Sequence, residues 1–268
     1  MFMITKKIVG KVQQTMLDSL DVVLRKAEET SPTSVNSTVE IYMLKDPNEM
    51  LPLFPQDKDG GYLLPLDVHP AIPAFVYYGE KSGDIPKMIV VANNIVSDES
   101  YMRNYKGLIG HELGHLLSWN KKIENNLKLK LEKAVNPKKF PEIDDLVDIV
   151  AQTRAEDVAI NAGYDSEMLD LRATDMEKAY DHKIIYEHKI VNAMTLFASF
   201  RLIEKKTTDK KLRERAKSLA NKLDLDFSKK LESGHKYYKL LKEFTIWTVD
   251  SEAYNDFKKL LSYKRFNG

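Results

Sequence analysis

Apolar positions recur along this chain in two rhythms. Ile8, Val12, Met16, Leu20, Val23, Leu24 and Ala27 fall at three- and four-residue steps, which predicts one amphipathic helix over 4–28. Ser31-Pro32-Thr33 ends it. Its polar face mixes both charges, so packing on a core is favoured over lying on a membrane surface. The rhythm then shortens to two. Val39-Glu40-Ile41-Tyr42-Met43-Leu44 alternates as a strand, and 74–78 and 87–92 predict a strand pair joined by a turn around Lys81-Ser82-Gly83-Asp84. Residues 45–73 carry six prolines and Gly60-Gly61, the marks of a long loop or irregular hairpin. Asp57 and Asp59 begin like a calcium loop, but Gly61 stands where a third ligand belongs and no Glu follows at the required place. In Leu108–Leu117 the helical rhythm returns as the stripe Ile109, Leu113, Leu116 and Leu117, with Ser97, Asp98 and Ser100 as its expected N-cap and first turn. After Asn120 the pattern predicts only helices, near 141–162, 165–180, 183–205, 208–222 and 236–246. A last one, near 251–264, is expected to begin at Asp250 or Ser251. The expected fold class is α+β: an N-terminal helix, a small mixed sheet, a helix over 108–117, and an all-helical C-terminal part.

Composition narrows the picture. A chain of 268 residues is one large domain or two modest ones, and 43% hydrophobic content suffices for a core. With 41 basic and 40 acidic residues there is no broad field to draw nucleic acid or anionic membrane. The Lys-rich runs at 126–139 and 204–217 are interrupted by acids and read as solvated faces. There is no Cys, which excludes disulfides, thiolate metal ligands and a cysteine nucleophile. No apolar run approaches bilayer length, and the first residues lack the apolar core of a signal peptide, so a cytoplasmic protein (host cytoplasm, if viral) is expected.

The chemistry concentrates at His111-Glu112-Leu113-Gly114-His115. On a helix, positions i and i+4 share a face, so both imidazoles can grip one metal ion. Two neutral nitrogens suit Zn²⁺, and Glu112 beside them suits deprotonation of a zinc-bound water. Gly114 costs about 1 kcal/mol against Ala in a helix and calls for a reason, such as close approach of another backbone. A catalytic zinc needs a third protein ligand. His69, His182, His188 and His235 lie outside the short downstream spacing of a third His. The leading alternative is Glu156, in a stretch where Glu156 and Asp157 flank an apolar stripe of Ile143, Leu146 and Val150. Unpaired carboxylates there are expensive, and a metal or its His ligands would offset that cost. Glu156 is assigned to the metal, with Asp157 or Asn161 orienting a ligating His; the roles of Glu156 and Asp157 are interchangeable at this level.

With His111, Glu112, His115 and Glu156 in that order, roughly residues 39–163 resemble the zincin metallopeptidases of the gluzincin type. The run Glu156–Asn161 is similar to a helix of phage- and bacteria-associated metallopeptidase-like proteins. Ile160 departs from the commonest gluzincin helix, which has an Asp four residues after its glutamate ligand. The resemblance implies a catalytic core over 1–163, a helical subdomain over 164–268, a Zn²⁺ cofactor, and hydrolysis of a peptide or protein substrate, as an endopeptidase rather than an exopeptidase; the alternatives are a binding or regulatory protein of the same fold without turnover and a structural protein with a chance HExxH. It implies that Glu112 shuttles the proton and that an extended peptide pairs with an edge strand, Ala74–Tyr78 or Lys87–Ala92. It also implies an oxyanion donor from the helical half, with His182, Tyr186 and His188 as candidates.

Overall fold

The structure is a computed structural model that describes residues 3–30, 34–56, 58, 71–79, 81, 83–136, 142–181, 190–230 and 235–262. It is a mixed α+β fold. A four-stranded sheet has the order β1 (Met3–Val9), β2 (Thr38–Leu44), β4 (Lys87–Val91), β3 (Ala74–Tyr77). Strands β1, β2 and β4 are parallel, and β3 runs antiparallel to β4 with Ala74 opposite Val90 and Tyr77 opposite Lys87. A parallel neighbour needs a crossover; α1 (Gln14–Thr30) supplies it between β1 and β2.

The first predicted helix is therefore too long. Its stripe from Met16 to Ala27 is buried as expected, but residues 3–9 are an edge strand with Met3 and Ile8 more than half exposed. Gly10, at φ 74°, makes the break, in a conformation that L side chains avoid. Ile8 and Val12 happened to stand in register with the true helix's stripe.

Period-two alternation separates the sheet's faces. Val39, Ile41, Met43, Met88 and Val90 enter the main core. Tyr42, Leu44, Ile89 and Val91 face the other way, onto Met50 and Phe54 of the short 3-10 segment around Pro47–Leu53. Two short helices, α2 (Ala92–Val96) and α3 (Glu99–Arg103), lead into α4 (Tyr105–Ser118), which carries His111 and His115. Asp98 is a helix cap, but of α3: its carboxylate accepts from the Ser100 and Tyr101 amides. The chain breaks at Asn104 before α4 begins.

The remainder is helical among the described residues: α5 (Lys121–Ala134), α6 (Ile143–Asn161), α7 (Asp165–Asp181), α8 (Ile190–Lys206), α9 (Lys210–Lys230), α10 (His235–Asp250) and α11 (Phe257–Leu261). The last is shorter than predicted and is capped by Asp256, because α10 runs on to Asp250 and a turn follows. One hydrophobic cluster runs from Met16 to Leu260, so the core is continuous across the expected boundary after residue 163. No helix of the described residues is long and apolar enough to cross a membrane.

Candidate active site

Helix α4 is the centre of the molecule. It packs against α1, α6, α7 and β3, and every residue from Gly107 to Leu117 is buried. A helix covered on all sides needs small residues where its neighbours come closest. A Cβ on Gly114 would lie 2.3 Å from the Ala155 carbonyl oxygen and 2.7 Å from Ala155 Cα. One on Gly110 would lie 3.3 Å from Ala159 Cβ. Helices α4 and α6 thus meet along Gly110 and Gly114 on one side and Ala155 and Ala159 on the other. His111, His115 and Glu156 are the residues next to those contacts, so the seam itself carries Glu156 to the two imidazoles. The far end of α4 is fixed by the buried Asn36, whose side-chain amide donates to the carbonyls of Leu116 and, at 3.0 Å, Trp119.

The two imidazole rings stand 4.7 Å apart and nearly perpendicular. Glu156, 1% exposed, places Oε1 3.2 Å from His111 Nδ1. Glu112 is buried on the same helix. Arg172 of α7, which the sequence reading did not single out, joins them. Its Nε donates to Glu156 Oε1 at 2.7 Å, its Nη2 donates to the same oxygen, and its Nη1 donates to Asp175 Oδ2 at 2.9 Å. Nη2 also lies 3.2 and 3.3 Å from the two ring nitrogens of His111. A point equidistant from both nitrogens in the ring plane would collide with the carbon between them, so the guanidinium sits over the ring rather than in line with a lone pair.

Burial sets the protonation of these groups. It lowers His115 to about 3, aided by the nearby His111 and opposed by a hydrogen bond with Gln152, so His115 is a neutral imidazole at pH 7. Burial pushes Glu112 up. Burial would push Glu156 up too, but Arg172 and His111 outweigh it and hold that carboxyl at about 2. Tyr78, just past the end of β3, is driven well above its ordinary value by burial and by the charges of Glu112 and Glu124. Its hydroxyl is buried without a hydrogen-bond partner among the described residues.

The structure brings together His111, Glu112, His115 and Glu156. It does not bring Asp157 or Asn161 to the imidazoles. Asp157 accepts from Lys206 of α8 and, at 3.5 Å, from Asn255, while Asn161 accepts from Lys206 at 3.4 Å. One residue step along α6 turns a side chain by about 100°, which sends Asp157 to α8 while Glu156 faces α4. The partner of His115 is Gln152 instead, one turn before Glu156 on the same face. His182, Tyr186 and His188 lie outside the described residues. Arg172 had a legible signal: it stands four residues after Met168 and four before Met176, both buried, so it is a charge inside an apolar stripe.

Among the described residues no three His, Asp or Glu groups stand close enough to hold a metal ion as they are. The donor types nonetheless fit zinc. His115 is neutral, and Glu156 Oε2 is buried with no hydrogen-bond partner among the described residues. The Arg172 guanidinium is already in contact with Glu156 and His111. Compared with protein-family models, curated proteins and solved structures, the chain gives no match.

Proposed function

We propose that this chain is a zinc-dependent peptide hydrolase of zincin-like arrangement, with His111, His115 and Glu156 as ligands and Glu112 as the proton-transfer residue. The observation that carries this is the buried Glu156, brought by the Gly114–Ala155 contact beside an HExxH pair with one carboxylate oxygen left unpartnered. Zinc there would polarise a carbonyl and acidify water. Glu112 is suited to the rest. Its carboxyl is raised by burial, which brings its basicity closer to neutral pH, so it can accept a proton from the attacking water and return it to the departing amine. Of the two expected substrate edges, Lys87–Val91 is paired on both sides, whereas β3 is an edge of the described sheet and packs on α4. Strand β3 is therefore the edge that an extended peptide would join. Tyr78 at its end feels the charge of Glu112 and keeps its proton, which makes it a candidate hydrogen-bond donor to the reacting groups.

The test uses the full chain. Purified wild-type protein is expected to carry or take up about one zinc per chain and to cleave an unfolded protein substrate. Glu112→Gln is expected to keep the zinc and lose hydrolysis by about 10²-fold or more. A wild-type chain that binds no zinc refutes the proposal, and so does an undiminished rate in Glu112→Gln.

A further inference from the structure

We infer that Arg172 is a stand-in cation for the metal: it holds the metal-free site together, and a divalent ion must displace it to bind. This rests on the zinc reading above and adds a regulator to the same site. Glu156 is a buried anion, and an unpaired one would be costly. Arg172 neutralises it by putting two guanidinium nitrogens on a single oxygen, Oε1, while Oε2 stays without a hydrogen-bond partner among the described residues. The same Nη2 covers the face of His111.

A metal ion that shared the site with the guanidinium in this position would be repelled by it. Zinc sits about 2.1 Å from a ligating imidazole nitrogen. Nη2 lies no more than 3.3 Å from either nitrogen of His111. Whichever nitrogen ligates, the two cations would stand at most about 5.4 Å apart, in a place where solvent screens little. A positioning role, in which Arg172 keeps its present place and steadies Glu156 for the metal, would have to bear that repulsion. Displacement avoids it, and a route is provided. Nη1 is already bonded to Asp175, one turn further along α7 and partly exposed, with the side chain at 29%. Asp175 can keep the guanidinium while Glu156 turns to the metal. Arg172 and the metal therefore compete for one carboxylate, and each lowers the apparent affinity of the other.

The experiment compares wild type, Arg172→Met, Arg172→Lys and Glu156→Gln by zinc competition against a chromophoric chelator and by thermal melting with and without zinc. Arg172→Met is expected to bind zinc about ten-fold more tightly or better. Without metal it should melt below wild type, and zinc should raise its melting point by more than it raises that of wild type. Arg172→Lys keeps a cation but not the fork and should fall between the two; it decides the matter if Arg172→Met does not fold without metal. Unchanged or weaker zinc binding in a folded Arg172 variant overturns competition and leaves the zinc site standing. If Glu156→Gln binds zinc as tightly as wild type, Glu156 is not the contested group and the inference fails while the His pair survives. If no form takes up zinc, both readings fall.

Discussion

Adding a single methyl group at position 114 tests how the site is positioned. In isolation Gly→Ala should stabilise helix α4 by about 1 kcal/mol. In this fold the new Cβ would stand 2.3 Å from the Ala155 carbonyl oxygen, with Ala155 Cα at 2.7 Å and its carbonyl carbon at 2.8 Å. All three atoms are backbone, so no rotamer change relieves the clash. Ordinary contact begins near 3.4 Å, so α6 must retreat by about 1.1 Å, the difference from 2.3 Å. Overpacking of this kind costs about 1–3 kcal/mol, which outweighs the propensity gain. The displacement also exceeds the roughly 0.5 Å within which a functional constellation must be held, and Glu156 rides on the residue after Ala155. Gly114→Ala is thus expected to lower the urea midpoint and to weaken zinc binding in the chelator assay by more than the stability loss alone explains. A Gly114→Ala protein as stable as wild type, with unchanged zinc affinity, would refute the seam as the element that sets the site.

Three further outcomes follow from named contacts. Without metal, stability should decline as pH falls from 6.5 towards 4.5. Below the ordinary value of 6.5 only the unfolded chain protonates residue 115, because the folded value is about 3. The loss is about 1.4 kcal/mol per pH unit, or roughly 2–3 kcal/mol over that span, and His115→Gln should remove it. The contribution of Glu156, whose carboxyl is lowered from 4.5 to about 2, persists through that window and fades only below it, so the two are separable by the pH of denaturant midpoints. Asn36→Ala deprives the carbonyls of Leu116 in α4 and of Trp119 just past its end of their donor and should cost about 1–3 kcal/mol in urea unfolding. Asp157→Ala leaves Lys206 with only its long contact to Asn161 and should cost about 1–3 kcal/mol, yet leave zinc affinity unchanged; a large fall in affinity would restore Asp157 to the metal site.

The legible part of this molecule was the part where one periodicity rules one element. The strand pair 74–78 and 87–92 and the helices over 141–162 and 165–180 have clear hydrophobic stripes, and they lie where those stripes predict. The stripe from Ile8 to Ala27 misled because strand β1 and helix α1 share a phase across Gly10, and only the parallel pairing with β2 tells them apart. The acids at 156 and 157 need partners because they lie at the buried edge of a helix, and both have them. Which partner each takes depends on a 100° step around α6 and on where α7 and α8 pack, and neither is encoded within the helix that holds them. Gly114 is the exception: a glycine inside the HExxH helix, between Leu113 and His115, announces a close neighbour, and Ala155 is that neighbour.

The continuous core has a consequence for synthesis. A nascent chain that has just released α6 already holds His111, Glu112, His115 and Glu156, but not α7, which brings Arg172, nor α8, which brings Lys206 to Asp157. At about 5–20 residues per second the interval before those helices emerge lasts seconds. Throughout that interval Glu156 has no guanidinium to neutralise it, and the seam between α4 and α6 is still open to water on the side that α7 and α8 will cover. The order in which the ribosome delivers these helices thus gives Glu156 its neutralising partner only with α7, after the four residues of the site have been made.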